Sequence, residues 1–487
     1  MSSEPIVIIG AGMGGLALAL RLAHRGEKVL VLEQTDQIGG RNRRLQVGEA
    51  VFDSGPSLLM MLDPFETLYR DVGEDLYQRL DVRLCDPSYR VFYRDGTQIE
   101  GTANVAKMVR QLKALGLESD AERFPVFLGE LADLYNASIP LFVRKNYYSP
   151  LDFALPHHLY AVTRHKMLSN LKKRVDHWFT DPRLRMLFSF QTMYLGLSPF
   201  EAPYVYATLT YMEFGQGIWY PMGGLSRMAD DIAEMATDRG AEIRLNCKVK
   251  SIDKSSVSLE SGETVRAKAV VSNADLPYAE KALLNRSAKK RRYSCSAFMM
   301  YIDYRGELPA FEHHNVVFGA DFQQNLEDIF HKNELPKDPA FYICASSKTD
   351  PSMATPGSTN LMILVPCPNL DRNFSAADAA FLQQKVFSRL CEEGDFDPDK
   401  IAAMETFGPH EWSNRYNLDK GAAFGLSHDF LQSAFFRPSN KGKAGTYFVG
   451  ASTVPGNGLP MVLISAELAE QRLEREGVLS RTRRRPA

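Results

Sequence analysis

The sequence predicts an α/β fold in which a Rossmann-like dinucleotide-binding domain is interleaved with a second domain, and three observations carry that prediction. An apolar strand near the N-terminus runs straight into glycines at GxGxxG spacing. A strand, a glycine-rich loop and a helix recur within the last forty residues or so, in and around "VGASTVPGNGLPMV", Val449 to Val462. The 487 residues between and around them are too many for one small core, so two or three domains share the chain.

Ile6 to Ile9 is a run of β-branched residues, the pattern of a parallel strand buried on both faces. It opens into "GAGMGG", with Gly10, Ala11, Gly12, Gly14 and Gly15. Gly10 permits the tight turn, Gly12 lets a pyrophosphate approach the backbone, and Gly15 lets helix and strand pack closely. The helix, about Met13 to Arg25, carries Leu16, Leu20 and Ala23 on one face and stops at Gly26. Its N-terminal N–H groups face the phosphates. A second strand, "KVLVLE", ends at Glu33, 23 residues after Gly10, where a carboxylate accepts hydrogen bonds from a ribose; Gln34 follows. The ligand is a dinucleotide, NAD or FAD.

At the other end, "TYFVG" reads as a short buried strand, Thr446 to Val449. A helix follows Gly458, with Pro460 near its first position, Val462, Ala466, Ala469 and Leu473 on one face, and Gly477 closing it. The loop between has no ionisable side chain, because backbone N–H groups do the binding at such an end. Gly450, Ala451, Gly458, Leu459, Pro460 and Met461 are the candidate contacts.

Two further glycine segments narrow the ligand: "IGGRNRR", with Gly39, Gly40 and Arg41, and "FDSGPS", with Gly55, Pro56 and Ser57. With GxGxxG and Glu33 they resemble the FAD-binding opening of the flavin amine oxidase and carotenoid desaturase superfamily. The blocks "FSFQTMYLGLSPFEAP", "GIWYPMGG", "AVVSNAD" and "NLDKGAAFGLSHDFLQSAFFRPSN", in that order, are similar to bacterial and fungal phytoene desaturases. The resemblance runs from Ile6 to about Leu473. It implies FAD as cofactor, a glutathione-reductase-like FAD domain and hydride transfer from a C40 polyene. It implies that the positive end of the last helix stands beside the flavin N1–C2=O edge. The strand near Val249 is expected beside the adenine, with Asn273 and Ala274 near the cofactor. Val454 departs from the pattern, which often has His there, and that leaves the substrate and the number of desaturation steps open. A C30 desaturase, a carotenoid isomerase or oxygenase, an amine oxidase and a prenyl-binding escort protein without flavin are the alternatives. The intact pyrophosphate loop argues against the last.

On this basis residues 1–65, 224–285 and 416–487 form the FAD domain. Residues 66–223 form a helical substrate and membrane-associating region, and 286–415 a second substrate part of mixed strands and helices. No second GxGxxG follows, so no NAD(P)H domain is expected and electrons leave to another acceptor, oxygen or a quinone.

The formal charge of −2 gives no global attraction to nucleic acid. Six scattered cysteines without a CxxC pair read as reduced thiols. The first apolar run starts too early for a signal peptide, and no 18 apolar residues run uninterrupted, so a cytoplasmic protein or a peripheral membrane protein is expected. Between Leu141 and Val175, seven Lys or Arg (Arg144, Lys145, Arg164, Lys166, Lys172, Lys173, Arg174) stand against one acid, Asp152. Tyr147, Tyr148, Phe153, Leu155, Leu159 and Tyr160 are interleaved, the composition of a membrane-interface segment, and Arg481 to Arg485 add basic charge.

The chemistry needs no catalytic dyad, because the polyene stabilises its own allylic cation and a weak base then suffices. Asp152, the lone acid in that stretch, is the candidate for proton handling. His157–His158 and His410 are weaker candidates. His313–His314 suggests metal, but neighbouring histidines point apart on a strand and no third ligand is evident, so no metal is expected.

Overall fold

The structure is a computed structural model and describes residues 4–479, apart from 154, 288, 430, 431, 434, 435, 443 and 444. Arg481 to Arg485 lie outside the described residues.

Five parallel strands form the first sheet, in the order Thr446–Phe448, Ala269–Ser272, Ile6–Ile9, Val29–Leu32, Glu242–Arg244. The central strands are buried along their length, as runs of Ile, Val and Leu without polar alternation require. Ile6, Ile8, Val29, Val31 and Val271 face the helices Met13–His24, Ser226–Asp238 and Leu459–Arg475. Val7, Ile9, Leu30, Leu32 and Val270 face the other way, onto a three-stranded antiparallel sheet, Val249–Asp253, Ser256–Leu259 and Thr264–Arg266. Segments from the start, middle and end of the chain therefore build one layered unit.

A second, mixed sheet of seven strands runs in the order Ile401–Phe407, Ser296–Arg305, Ser358–Cys367, Phe341–Cys344, His314–Val317, Tyr89–Phe92, Gln98–Gly101. Its last two strands come from 66–223, a stretch that is otherwise mostly helical. Tyr89–Phe92 and Gln98–Gly101 form an antiparallel hairpin, and Val82–Cys85 pairs with Ile218–Pro221. The hairpin turns through Asp95–Gly96, with Gly96 at φ +80°, a standard hairpin signal that the helical periodicity around it overrode. The segment before 223 and the segment after 286 thus share a sheet.

The helices of that middle segment pack into an aromatic core of Phe124, Phe127, Phe179, Phe188 and Phe214. Among the described residues one helix, Glu118–Val143, is long and apolar enough to cross a membrane by length and composition, although no apolar run in it is uninterrupted. Phe124, Phe127 and Leu131 on it are fully buried against neighbouring helices, the one-sided burial of an amphipathic helix.

Candidate functional site

Between the two sheets lies a cavity of about 610 Å³, lined by residues of both. One half is backbone. The first helix starts at Gly12 and the last at Gly458, and neither has a side-chain cap or an acid in its first turn. Both glycines line the cavity, so two uncapped helix N-termini present N–H groups and partial positive charge to one space. The "GGR" segment packs onto the glycine loop: Gly39 N–H donates to Ala11 O at 2.8 Å, and Gly39 and Gly12 form a parallel bridge. Arg41 lines the cavity and donates to Ala423 O at 2.8 Å. Burial lowers its pKa, and Asp275 works against that shift.

Most residues expected at the cofactor line the cavity: Gly10, Gly12, Gly14, Glu33, Gln34, Gly39, Gly40, Arg41, Gly55, Pro56, Ser57, Val249, Asn273, Ala274, Ala451, Gly458, Leu459, Pro460 and Met461. Ala11, Gly15 and Gly450 stand behind that surface. Ala11 N–H donates to Glu33 Oε2 at 2.8 Å while Thr35 N–H and hydroxyl hold Oε1, so the carboxylate is oriented by the loop it serves. A Cβ on Gly15 would meet Gly10 O at 2.2 Å, which is the close approach of helix to strand. Gly450 has φ +102°, and a Cβ there would meet the Asn273 amide oxygen at 2.5 Å. Asn273 donates to Gly10 O at 3.2 Å, under the glycine loop.

Several polar groups at this end were not anticipated. Asp275 lines the cavity, accepts a hydrogen bond from the Ser452 hydroxyl, and is raised in pKa chiefly by burial. Arg437 is buried and ties three carbonyls together, Leu426, Ser427 and Ala451, at 3.2, 3.1 and 2.6 Å; burial lowers it to about 10. His428, held neutral by burial and by Arg437, lines the cavity beside Asn457. His428 Nδ1 and Asn457 Oδ1 are buried without a hydrogen-bond partner among the described residues. Buried polar atoms without partners are exceptional, and two at one cavity end suit a ligand edge that bears donors and acceptors. With two uncapped helix ends for a pyrophosphate and Glu33 for a ribose, this donor set fits FAD.

The other half is side chains. Ile139, Phe142, Val143, Phe190, Met193, Leu209, Met212, Val316, Phe318, Leu326 and Ile329 line it, with Tyr194 and Tyr342 as its polar edges. Under this wall lies Glu213, fully buried, whose Oε2 accepts from Tyr89 OH at 3.0 Å and from Gln191 at 2.9 Å. Burial raises its pKa to about 7, against hydrogen bonding by Tyr194, Gln191 and Tyr89. Nothing in the local sequence marks it, because its partners come from distant segments.

Asp152 does not line the cavity. Its carboxylate accepts from the N–H groups of Tyr148 and Ser149 at 2.8 and 3.0 Å, and those bonds lower its pKa. It closes a turn at the surface, which corrects its candidacy for proton handling. The rings of His157 and His158 lie 4.3 Å apart, tilted at 55°, away from the cavity, and His410 donates to Phe374 O at 3.1 Å. The expectation for His313 and His314 also needs correction. His313 precedes the strand that begins at His314, so strand alternation does not separate them; their ring centroids are 4.1 Å apart, and Cys85 joins them as a third donor.

The chain matches the model of a known family, flavin-containing amine oxidoreductases, over residues 13–472. The chain belongs to that family. It is 39% identical, over 96% of its length and 93% of the other, to a zeta-carotene-forming phytoene desaturase of Myxococcus xanthus. A 4,4'-diapophytoene desaturase of Staphylococcus haemolyticus is 30% identical over 96% of this chain and 98% of its own. In fold, the cyclohexylamine oxidase of Brevibacterium oxydans aligns with a TM-score of 0.58 at 17% identity, over 98% and 100% of the two chains. The flavoenzyme is thus an FAD-dependent oxidoreductase of CH–CH bonds in the carotenoid desaturase group, on a scaffold shared with amine oxidases.

Proposed function

We propose that the enzyme is a phytoene desaturase that introduces double bonds into a C40 polyene precursor, giving lycopene or a less desaturated product, and that the residues named above as cavity-lining at the glycine-rich end are its FAD contacts. One observation carries this reading: the glycine-rich end opens without a partition into a long wall of Phe, Leu, Ile, Met and Val side chains. Such a wall offers a hydrocarbon no hydrogen bonds and holds it by contact and by exclusion of water. FAD supplies the hydride acceptor. The protein's part is orientation: the apolar half holds the chain, and the two helix ends stabilise negative charge at the glycine-rich end. The proton lost in each step comes from a carbon beside a cation on a polyene and is acidic enough to leave to a weak base.

The substrate requires contact with lipid, because moving a C40 chain into water costs on the order of 30 kcal/mol at about 0.8 kcal/mol per carbon. The residues after the cavity-lining Phe142 and Val143 expose Leu151 (77%), Leu159, Tyr160 (67%) and Leu168. Of the seven cations there, Arg144, Lys172 and Arg174 are spent on Asp63, Asp176 and Glu130. Arg164, Lys166 and Lys173 are exposed and have no ion pair among the described residues, and they serve as the anionic-lipid contacts of a peripheral protein on the cytoplasmic face. Electrons then pass from the flavin to oxygen or a membrane quinone. The test is expression in phytoene-accumulating cells, with the extracted pigment read by absorbance and mass. A coloured C40 product, each step a loss of two hydrogens, is expected; unchanged phytoene beside soluble yellow protein overturns the C40 reading and points to a C30 chain.

A further inference from the structure

We infer that Cys85, His313 and His314 form a buried binding site for a thiophilic divalent cation of the zinc class, set behind the cavity wall. One donor atom from each of the three lies within 4.8 Å of the other two, and all three residues are buried. Cys85 ends the strand Val82–Cys85, and the histidines begin the neighbouring part of the seven-stranded sheet. Three donors from two separate chain segments therefore converge where neither segment alone has a site.

The second observation is the state of the imidazoles. His313 Nδ1 is 2.7 Å from Thr349 Oγ1 and 4.0 Å from Cys85 Sγ, and His314 Nδ1 is 2.7 Å from Tyr342 OH, while both Nε2 atoms are buried and have no hydrogen-bond partner among the described residues. An outer hydrogen bond that holds one ring nitrogen and leaves the other free is how metal-bound histidines are oriented. With Nδ1–H donated outward, the lone pair sits on Nε2. Tyr342 OH is in turn 2.9 Å from Ser57 Oγ, and both residues line the cavity, so the cluster braces the wall from behind.

Charge favours a divalent ion. Binding expels the Cys85 thiol proton to solvent, and one thiolate with two neutral imidazoles leaves a single positive charge on a zinc-class ion. Two buried carboxylates lie in the same region: Asp350 acts electrostatically on His313, and Asp53 on nearby Tyr220, whose ring stands 4.7 Å from that of His313. Backbone N–H groups of Leu225 and Ser226 hold Asp53, those of Gly223 and Ser352 hold Asp350, and neither carboxylate is in an ion pair among the described residues. The charge of Asp350, felt at His313, offsets the excess. Three protein ligands leave one position for an oxygen ligand, and the ion ties the Val82–Cys85 strand to the large sheet.

The test is elemental analysis of the untagged, FAD-loaded chain purified from zinc-supplemented cells, with X-ray absorption at the zinc edge. The expected result is about one zinc per chain with sulfur and nitrogen ligands, lost in Cys85→Ser and His314→Asn while the flavin content holds. Zinc at background in fully flavinylated wild-type protein overturns the inference, as does zinc retained in Cys85→Ser. The wild-type stoichiometry and ligand signature stand without any variant, so a misfolded variant leaves the question decided by them.

Discussion

The two halves of the cavity are built on opposite principles. The glycine-rich half is made of backbone: two helix ends, three glycine turns and one oriented carboxylate. Each piece forms from a short continuous stretch, and the two helix ends and the carboxylate meet because the strands that lead to them share one parallel sheet. The apolar half is made of side chains from the helix Glu118–Val143, from residues 190–212 and from strands near 316 and 341, and none of these stretches resembles a site alone. Backbone recognition constrains sequence locally and in a fixed order; side-chain recognition of a hydrocarbon constrains only volume and apolarity, which many residues satisfy.

Breaking the first half should have the larger effect. Gly15→Val places a side chain against Gly10 O, where even a Cβ would stand 2.2 Å away, and the backbone cannot yield without separating helix from strand. The purified protein should be colourless or insoluble, as the ratio of flavin to protein absorbance will show. Breaking the second half should leave the first intact. Leu209→Asp puts a carboxylate on the apolar wall, where desolvating it costs several kcal/mol, so turnover should fall on the order of 100-fold while the flavin remains bound. Loss of flavin in that variant would mean that the halves do not act separately.

Glu213 sharpens the comparison through pH. Burial raises its carboxyl from 4.5 to about 7, so the folded protein holds this proton more tightly than the unfolded chain does between those values. The stability it contributes is complete below pH 4.5 and is lost as the pH rises through 7. Glu213→Gln should remove that slope, gaining about 3 kcal/mol relative to wild type between pH 4.5 and pH 8, measured by denaturant unfolding at each pH. A slope unchanged in the variant would place the titration elsewhere.

The proposed lipid contact comes next. Reversing two exposed cations, Arg164→Glu with Lys166→Glu, should weaken binding to phosphatidylserine vesicles by roughly 2 kcal/mol or more and leave binding to neutral vesicles unchanged. Equal sedimentation of both proteins with anionic vesicles would remove the lipid contact from this surface.

What the sequence made legible follows the same division. Strand Ile6–Ile9, the helix after it, Glu33 and the helix after Gly458 stand where periodicity and turn chemistry put them, because their cause is local. The hairpin at Asp95–Gly96 carried a local signal too, but it sits among helices and its strands are completed by a partner more than two hundred residues away, at His314–Val317. Cys85 with His313 and His314, and Glu213 with Tyr89 and Gln191, are pairings across sheets and helices that no spacing rule reaches. The count of seven cations in the stretch does not reveal which are paired, since the acids that neutralise three of them lie elsewhere or just beyond it.

Asp152 gives the smallest effect and the cleanest discrimination. As the lone acid in a basic, aromatic stretch it stands out in sequence, yet its carboxylate is committed to two N–H groups of its own turn and lies away from the cavity. Its lowered pKa comes from those bonds, which makes it a poorer base than a free carboxylate. An asparagine keeps an oxygen acceptor for the same turn, so Asp152→Asn should keep turnover within about twofold of wild type with an unaltered pH profile. A fall of two orders of magnitude with flavin and fold intact would show that this turn moves to the substrate during the reaction, and the proton acceptor would then belong to the membrane-facing segment instead of the cavity wall.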